Sequence, residues 1–160
     1  MPPPGADRRR TAAAELGRKV RRLEQLSTGL ELLERELWER GSPLPQVLDE
    51  LSLRTGELAS TLFAQCADAC GRLDREPFPD AWRRLVTELE GLTPEGRAAL
   101  LPLGEVLGRY EAQGQREAIA QARAALERER ERAEGEKLRM GRVYQALGLS
   151  GGAFLVILLL

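Results

Sequence analysis

Cys66 and Cys70 are the residues whose type and spacing come nearest to chemistry, standing four apart on what reads as a helix. That spacing puts both thiols on one face, where they could exchange a disulfide or give a metal two of its ligands. A metal needs more ligands than two, none stands nearby, and the chain contains no histidine, the commonest metal ligand and general base. The pair is therefore expected to be two small buried residues, with a redox role as the second reading. Carboxylates are abundant, at 25 Asp and Glu, but no spacing sets two of them across a cleft. There is no phosphate loop, dinucleotide fingerprint, zinc spacing or nucleophile with a histidine partner. The expectation is that the chain has no catalytic residue, no cofactor and no metal, and is not an enzyme.

What the sequence does carry is a segregated tail. Residues 143–160 (VYQALGLSGGAFLVILLL) contain no charge. At about 1.5 Å per residue they would span roughly 27 Å as a helix, close to the thickness of a hydrocarbon core. A C-terminal transmembrane helix is expected over this stretch, anchored by Tyr144 at the near interface and by the apolar run that includes Phe154, Leu155 and Leu158. The alternative, a helix tucked into the protein's own core, would require so small a domain to cover eight apolar residues that have no polar face. Gly148 and Gly152 form a GxxxG spacing through which two such helices could approach and self-associate. Lys137, Arg139 and Arg142 precede the span and favour keeping the preceding domain in the cytoplasm.

The elements before the tail read as helices. The chain of 160 residues is 42% hydrophobic, 31% charged and only 4% aromatic, which suits a core of Leu and Ala in helices rather than sheet. Residues 1–15 are expected to be a disordered or fraying basic end, residues 16–142 a cytoplasmic helical domain and residues 143–160 the membrane span. The net charge of −1 conceals an asymmetry: residues 1–24 carry seven basic and three acidic groups, residues 25–110 nine and fifteen. A basic end of this kind could touch anionic lipid or nucleic acid, but the plainer reading is a solvated arm, and no nucleic-acid partner is expected.

Leu16, Leu23, Leu30 and Leu37 recur every seven residues, with Leu26 and Leu33 between them, and predict one long amphipathic helix ended by Gly41, Ser42 and Pro43. Ser42 is expected to cap a second helix, from Pro43 to about Arg54. A third runs from Glu57 to about Asp74 through Leu58, Leu62, Phe63, Ala69 and Leu73. A fourth, Asp80–Leu89, turns Trp82, Leu85, Val86 and Leu89 inward. Thr93 and Pro94 start a fifth, to Leu107, with a kink at Pro102. The last helix is expected from Gln115 to about Val143. Its middle, residues 127–136 (ERERERAEGE), alternates charge so densely that it is expected to be a largely solvated stalk.

Three stretches of this chain resemble the stage III sporulation protein AB family of endospore-forming bacteria. They are residues 23–51 (LEQLSTGLELLERELWERGSPLPQVLDEL), 107–121 (LGRYEAQGQREAIAQ) and 141–160 (GRVYQALGLSGGAFLVILLL). Two departures accompany them. Residues 1–16 (MPPPGADRRRTAAAEL), where family members usually carry a hydrophobic segment, cannot span a bilayer. This leaves either a single-span variant or a start assigned within a longer reading frame. Tyr110 and Glu111 replace the family's serine-aspartate pair.

The resemblance implies an all-α antiparallel bundle of about six helices, similar to the cytoplasmic domain of type II secretion platform proteins. It also implies a place in the secretion-like complex between mother cell and forespore, at the cell membrane with the helical domain facing the mother-cell cytoplasm. The implied partners are a secretion-type ATPase and other membrane proteins of that complex; the uncharged tail and its GxxxG spacing add membrane lipid and a homo-oligomer as the partners the residues themselves allow. Candidate contact residues are Pro43, Leu44 and Pro45 at the first turn and Gly108, Arg109 and Gln115 at the last connection. The competing reading is a tail-anchored coiled-coil scaffold that self-associates through the Leu16–Leu37 stripe; it predicts those leucines free to meet a second copy.

Overall fold

The computed structural model describes residues 4–109 and 112–159 and, among them, contains helices and no strand. The order is α1 (Pro4–Glu39), α2 (Leu44–Arg54), α3 (Glu57–Cys70), α4 (Phe78–Glu88), α5 (Pro94–Leu100), α6 (Leu103–Val106) and α7 (Ala112–Leu159). Segments α5 and α6 are the halves of the fifth expected helix. Pro102 has no N–H to continue the ladder, and the chain makes a turn at Leu101 and Pro102 before resuming.

The two long helices form the frame. Side chains pair Glu34 with Arg116, Glu31 with Arg123 and Glu24 with Arg130, so α1 and α7 run antiparallel. Leu23, Leu26, Leu30 and Leu33 are at most 1% exposed on α1. On α7 the matching stripe is Ile119, Ala122, Leu126, Glu129 and Ala133, all buried and spaced alternately by three and four residues. This is the seam spacing of a two-helix coil. The hairpin of α2 and α3 packs on the other side of α1, α4 lies on α3, and α5 and α6 close against α7. Burying the α1 leucines within one chain leaves the scaffold reading without its free stripe.

The charged run of residues 127–136 is solvated on one face, with Arg128, Glu131, Arg132, Gly135 and Glu136 exposed, but it is not a free stalk. Ala133 is completely buried and Glu129 is 6% exposed, its carboxylate 3.5 Å from Lys19 Nζ on α1. The neighbouring Arg130 lies along the seam's edge, bonded to Glu127, Glu24 and Glu134. Composition failed here because a small residue and a paired carboxylate carry the seam where a leucine would announce it.

Boundaries differ in smaller ways. α1 extends back to Pro4 with residues 7–11 exposed. Pro43, not Ser42, occupies the N-cap of α2, and it makes no side-chain cap. Thr93 caps α5 as expected, its hydroxyl accepting from the Gly96 N–H at 3.1 Å. α3 stops at Cys70 instead of reaching Asp74, and Leu73 lies 47% exposed in the turns that follow. Trp82 is fully buried and donates its indole N–H to the Leu100 carbonyl at 2.8 Å, satisfying a group left over where α5 breaks.

α7 continues as helix to Leu159, so the backbone of the expected span is helical. The side chains of Tyr144, Gly148, Gly152, Phe154, Leu155 and Leu158 lie outside the described residues. Among the described residues no helix is long and apolar enough to cross a membrane. The described side chains of this stretch are not tucked into the bundle: Val143 is 51% exposed, Ile157 71% and Leu159 85%.

Candidate functional site

At the end of the hairpin opposite the tail, α1 stops on Gly41 and α7 begins after Gly108. Both glycines take positive φ, +59° and +80°, conformations that side chains resist, so the chain can turn sharply at both places. These turns bring the two candidate stretches together. A β-carbon built on Gly108 would lie 3.6 Å from Leu44 Cδ2. Leu44, Gly108 and Gln115 line one groove of about 230 Å³, together with Leu37, Trp38 and Arg116.

The remaining candidates stand around this end rather than in the groove. Pro43 is exposed and its carbonyl accepts from the Val47 N–H at 3.1 Å, opening α2. Pro45 is exposed in the first turn of α2. Arg109 points to Glu105, 3.8 Å away. Tyr110 and Glu111, which stand where the family's serine-aspartate pair would be, lie outside the described residues.

Sequence reasoning missed the two side chains that dominate the groove. Trp38 is 47% exposed, an unusual position for so large an apolar surface. The Arg116 guanidinium stacks over it, 5.1 Å from the ring centroid, and its Nε donates to Glu34 at 3.1 Å. Tryptophan and arginine are the residues most enriched at the energetic centres of protein interfaces. The available signal was Trp38 itself, placed one residue off the leucine stripe at the end of α1.

The other candidate chemistry is absent from this region. Cys66 and Cys70 are both free on α3; Cys66 is buried in the core, and burial, reinforced by Cys70, pushes its thiol up to about 12. Half-burial raises the Cys70 thiol as well. Both stay protonated near neutrality, the opposite of a poised nucleophile. Among the described residues no group of three or more cysteines, aspartates and glutamates is placed to hold a metal ion.

No curated protein matches the chain. A solved structure of stage III sporulation protein AB has a similar fold, with a TM-score of 0.65 at 24% identity over 74% of this chain and 94% of the other. The model of the stage III sporulation protein AB family matches residues 10–160. With nearly the whole length matched and the helical architecture shared, the chain belongs to the stage III sporulation protein AB family.

Proposed function

We propose that this chain is a non-enzymatic platform subunit of the sporulation complex, held at the membrane by its tail and offering the Trp38 groove to a secretion-type ATPase in the mother-cell cytoplasm. One observation carries the docking reading: two stretches separated by more than sixty residues converge on a groove centred on an exposed tryptophan and a stacked arginine. The tail's exposed Ile157 and Leu159 support anchoring, since the bundle leaves them uncovered. From Arg116 to Val143 the helix rises about 40 Å, so the groove would stand clear of lipid headgroups and within reach of a large cytoplasmic partner. Self-association has one place left in this reading, the Gly148 and Gly152 spacing within the bilayer.

The test is capture of the complex's ATPase by full-length protein from sporulating cells, comparing wild type with Trp38→Ala and Arg116→Glu. Both variants should keep the wild-type helix content and membrane fraction yet lose most of the ATPase. Undiminished ATPase capture by both would refute docking at this groove. Extraction of the wild-type protein by carbonate would refute anchoring.

A further inference from the structure

The antiparallel hairpin has a second polar end, and its charge differs from that of the groove end. Residues 8–21 and 137–142 carry nine basic side chains and one carboxylate, Glu15. Around the groove, residues 31–44 and 105–117 carry four basic and seven acidic ones.

The two ends also differ in how their arginines are used. Near the groove Arg35, Arg40, Arg109 and Arg116 all face carboxylates within 4 Å. At the other end Arg8, Arg10, Arg18, Arg21, Arg139 and Arg142, like Lys137, are exposed and make no ion pair among the described residues. Elsewhere in the described chain only Arg75 and Arg128 share that state without a carbonyl partner. Unpaired positive charge is thus concentrated where the hairpin meets the tail.

Register places this charge at a definite height. Glu24 faces Arg130, Lys19 faces Glu129, and a β-carbon on Gly17 would lie 3.9 Å from Lys137 Nζ. Half-buried Leu16 and Ala12 on α1 and Met140 on α7 continue the seam in the same direction. Carried on, this register sets Arg8–Arg10 level with residues 144–146, the first turn of the uncharged tail.

We propose that the Arg8–Arg10 end of α1, together with Arg139 and Arg142, binds the anionic phospholipid headgroups around the tail, giving the bundle a second contact with the membrane. The proposal rests on the anchoring reading above. Headgroups extend only several ångströms beyond the hydrocarbon core, so Arg142 lies among them, and Arg8–Arg10, level with the first turn of the tail, reach them with their long side chains. Arg18 and Arg21, some 12–20 Å further up the helix, are beyond one screening length and contribute less. One helix alone would let the bundle pivot about the tail; a charged collar on the neighbouring helix resists that motion.

The experiment is hydrogen exchange on the full-length chain in vesicles of phosphatidylcholine, with and without about 30% phosphatidylglycerol. Amides of residues 5–16 should exchange about tenfold more slowly with the anionic lipid, and that protection should vanish at about 0.5 M salt. The triple variant Arg8→Gln, Arg9→Gln, Arg10→Gln should lose it and the corresponding lysine triple should keep it. Equal exchange of residues 5–16 in the two vesicles overturns the proposal. So does equal protection by a short DNA duplex in neutral vesicles, which would mark the collar as a nucleic-acid surface. Amides of the tail report separately. If they exchange freely in both vesicles, anchoring has failed; headgroup-dependent protection of residues 5–16 would then still support the collar, and its absence would overturn it.

Discussion

Ala133→Glu separates the packed seam from a solvated stalk more sharply than any other single change. Ala133 sits among charged neighbours, so composition alone predicts that one more glutamate is tolerated. The structure predicts otherwise, because the alanine is completely buried on the stripe that packs α7 into the bundle. A glutamate there must displace neighbours, costing about 1–3 kcal/mol, or leave a carboxylate buried without a partner, costing about 3–5 kcal/mol. Lys19 cannot relieve it, being engaged with Glu129. Partial swinging toward solvent limits the sum, and the net expected loss is about 3–5 kcal/mol. At about 0.05–0.1 kcal/mol per residue the whole chain holds roughly 8–16 kcal/mol, so the variant should lose about a fifth or more of its stability. Urea unfolding in mild detergent, followed by far-ultraviolet circular dichroism, measures this. Glu131→Ala, two residues away and exposed, is the control and should change stability by no more than about 0.5 kcal/mol. A loss from Ala133→Glu as small as the control's would mean that the seam does not exist in solution.

Three further outcomes follow from the same contacts. Lys19→Met leaves the Glu129 carboxylate buried beside only the distant Arg132, 3.9 Å away, and should cost about 2–3 kcal/mol in the same urea assay, whereas Glu129→Leu should be close to neutral. Trp82→Phe removes the donor to the Leu100 carbonyl and part of a fully buried ring; a loss of about 2–4 kcal/mol by thermal melting is expected, and less than about 1 kcal/mol would show that the bond is not needed. In acid, the Arg84 guanidinium holds Glu76 below the usual carboxylate range, and Arg130 does the same for Glu127. Their contribution is present above the unfolded carboxylate value near 4.5 and is lost as pH falls through the lower folded values, so melting temperature should fall below about pH 4.5, less steeply in Arg84→Gln.

The helices themselves were legible because leucine and proline wrote them plainly. The Leu23 to Leu33 stripe, the inward face of α4 and the Thr93 cap all follow from spacing and local hydrogen-bond demand. The partner of the α1 stripe was not legible, since α7 presents Ala122, Glu129 and Ala133 at seam positions, residues that a hydrophobicity pattern passes over. At the groove, the turn residues Leu44, Gly108 and Gln115 could be picked out as punctuation, but only the antiparallel return of α7 brings them to one place. Trp38 stayed hidden for a related reason. What surrounds the residue after Leu37 depends on where the chain turns away from α1, at Gly41, and on the return of α7 with Arg116.

The pairing of α1 with α7 also fixes an order of events during synthesis. Between Glu39 and Ala112 lie 72 residues, and closing a loop of that length costs about 4 kcal/mol of chain entropy before any seam contact repays it. The α2–α3 hairpin is local and can cover one side of α1 while the chain is still being made. The side that meets α7 waits for Ile119 to Ala133 to leave the ribosome, and the uncharged tail follows nine residues behind them. Under the anchoring proposed above, closure of the bundle and delivery of the tail to the bilayer would fall in the same interval, and a chain stalled before it presents an open leucine face to proteases and chaperones.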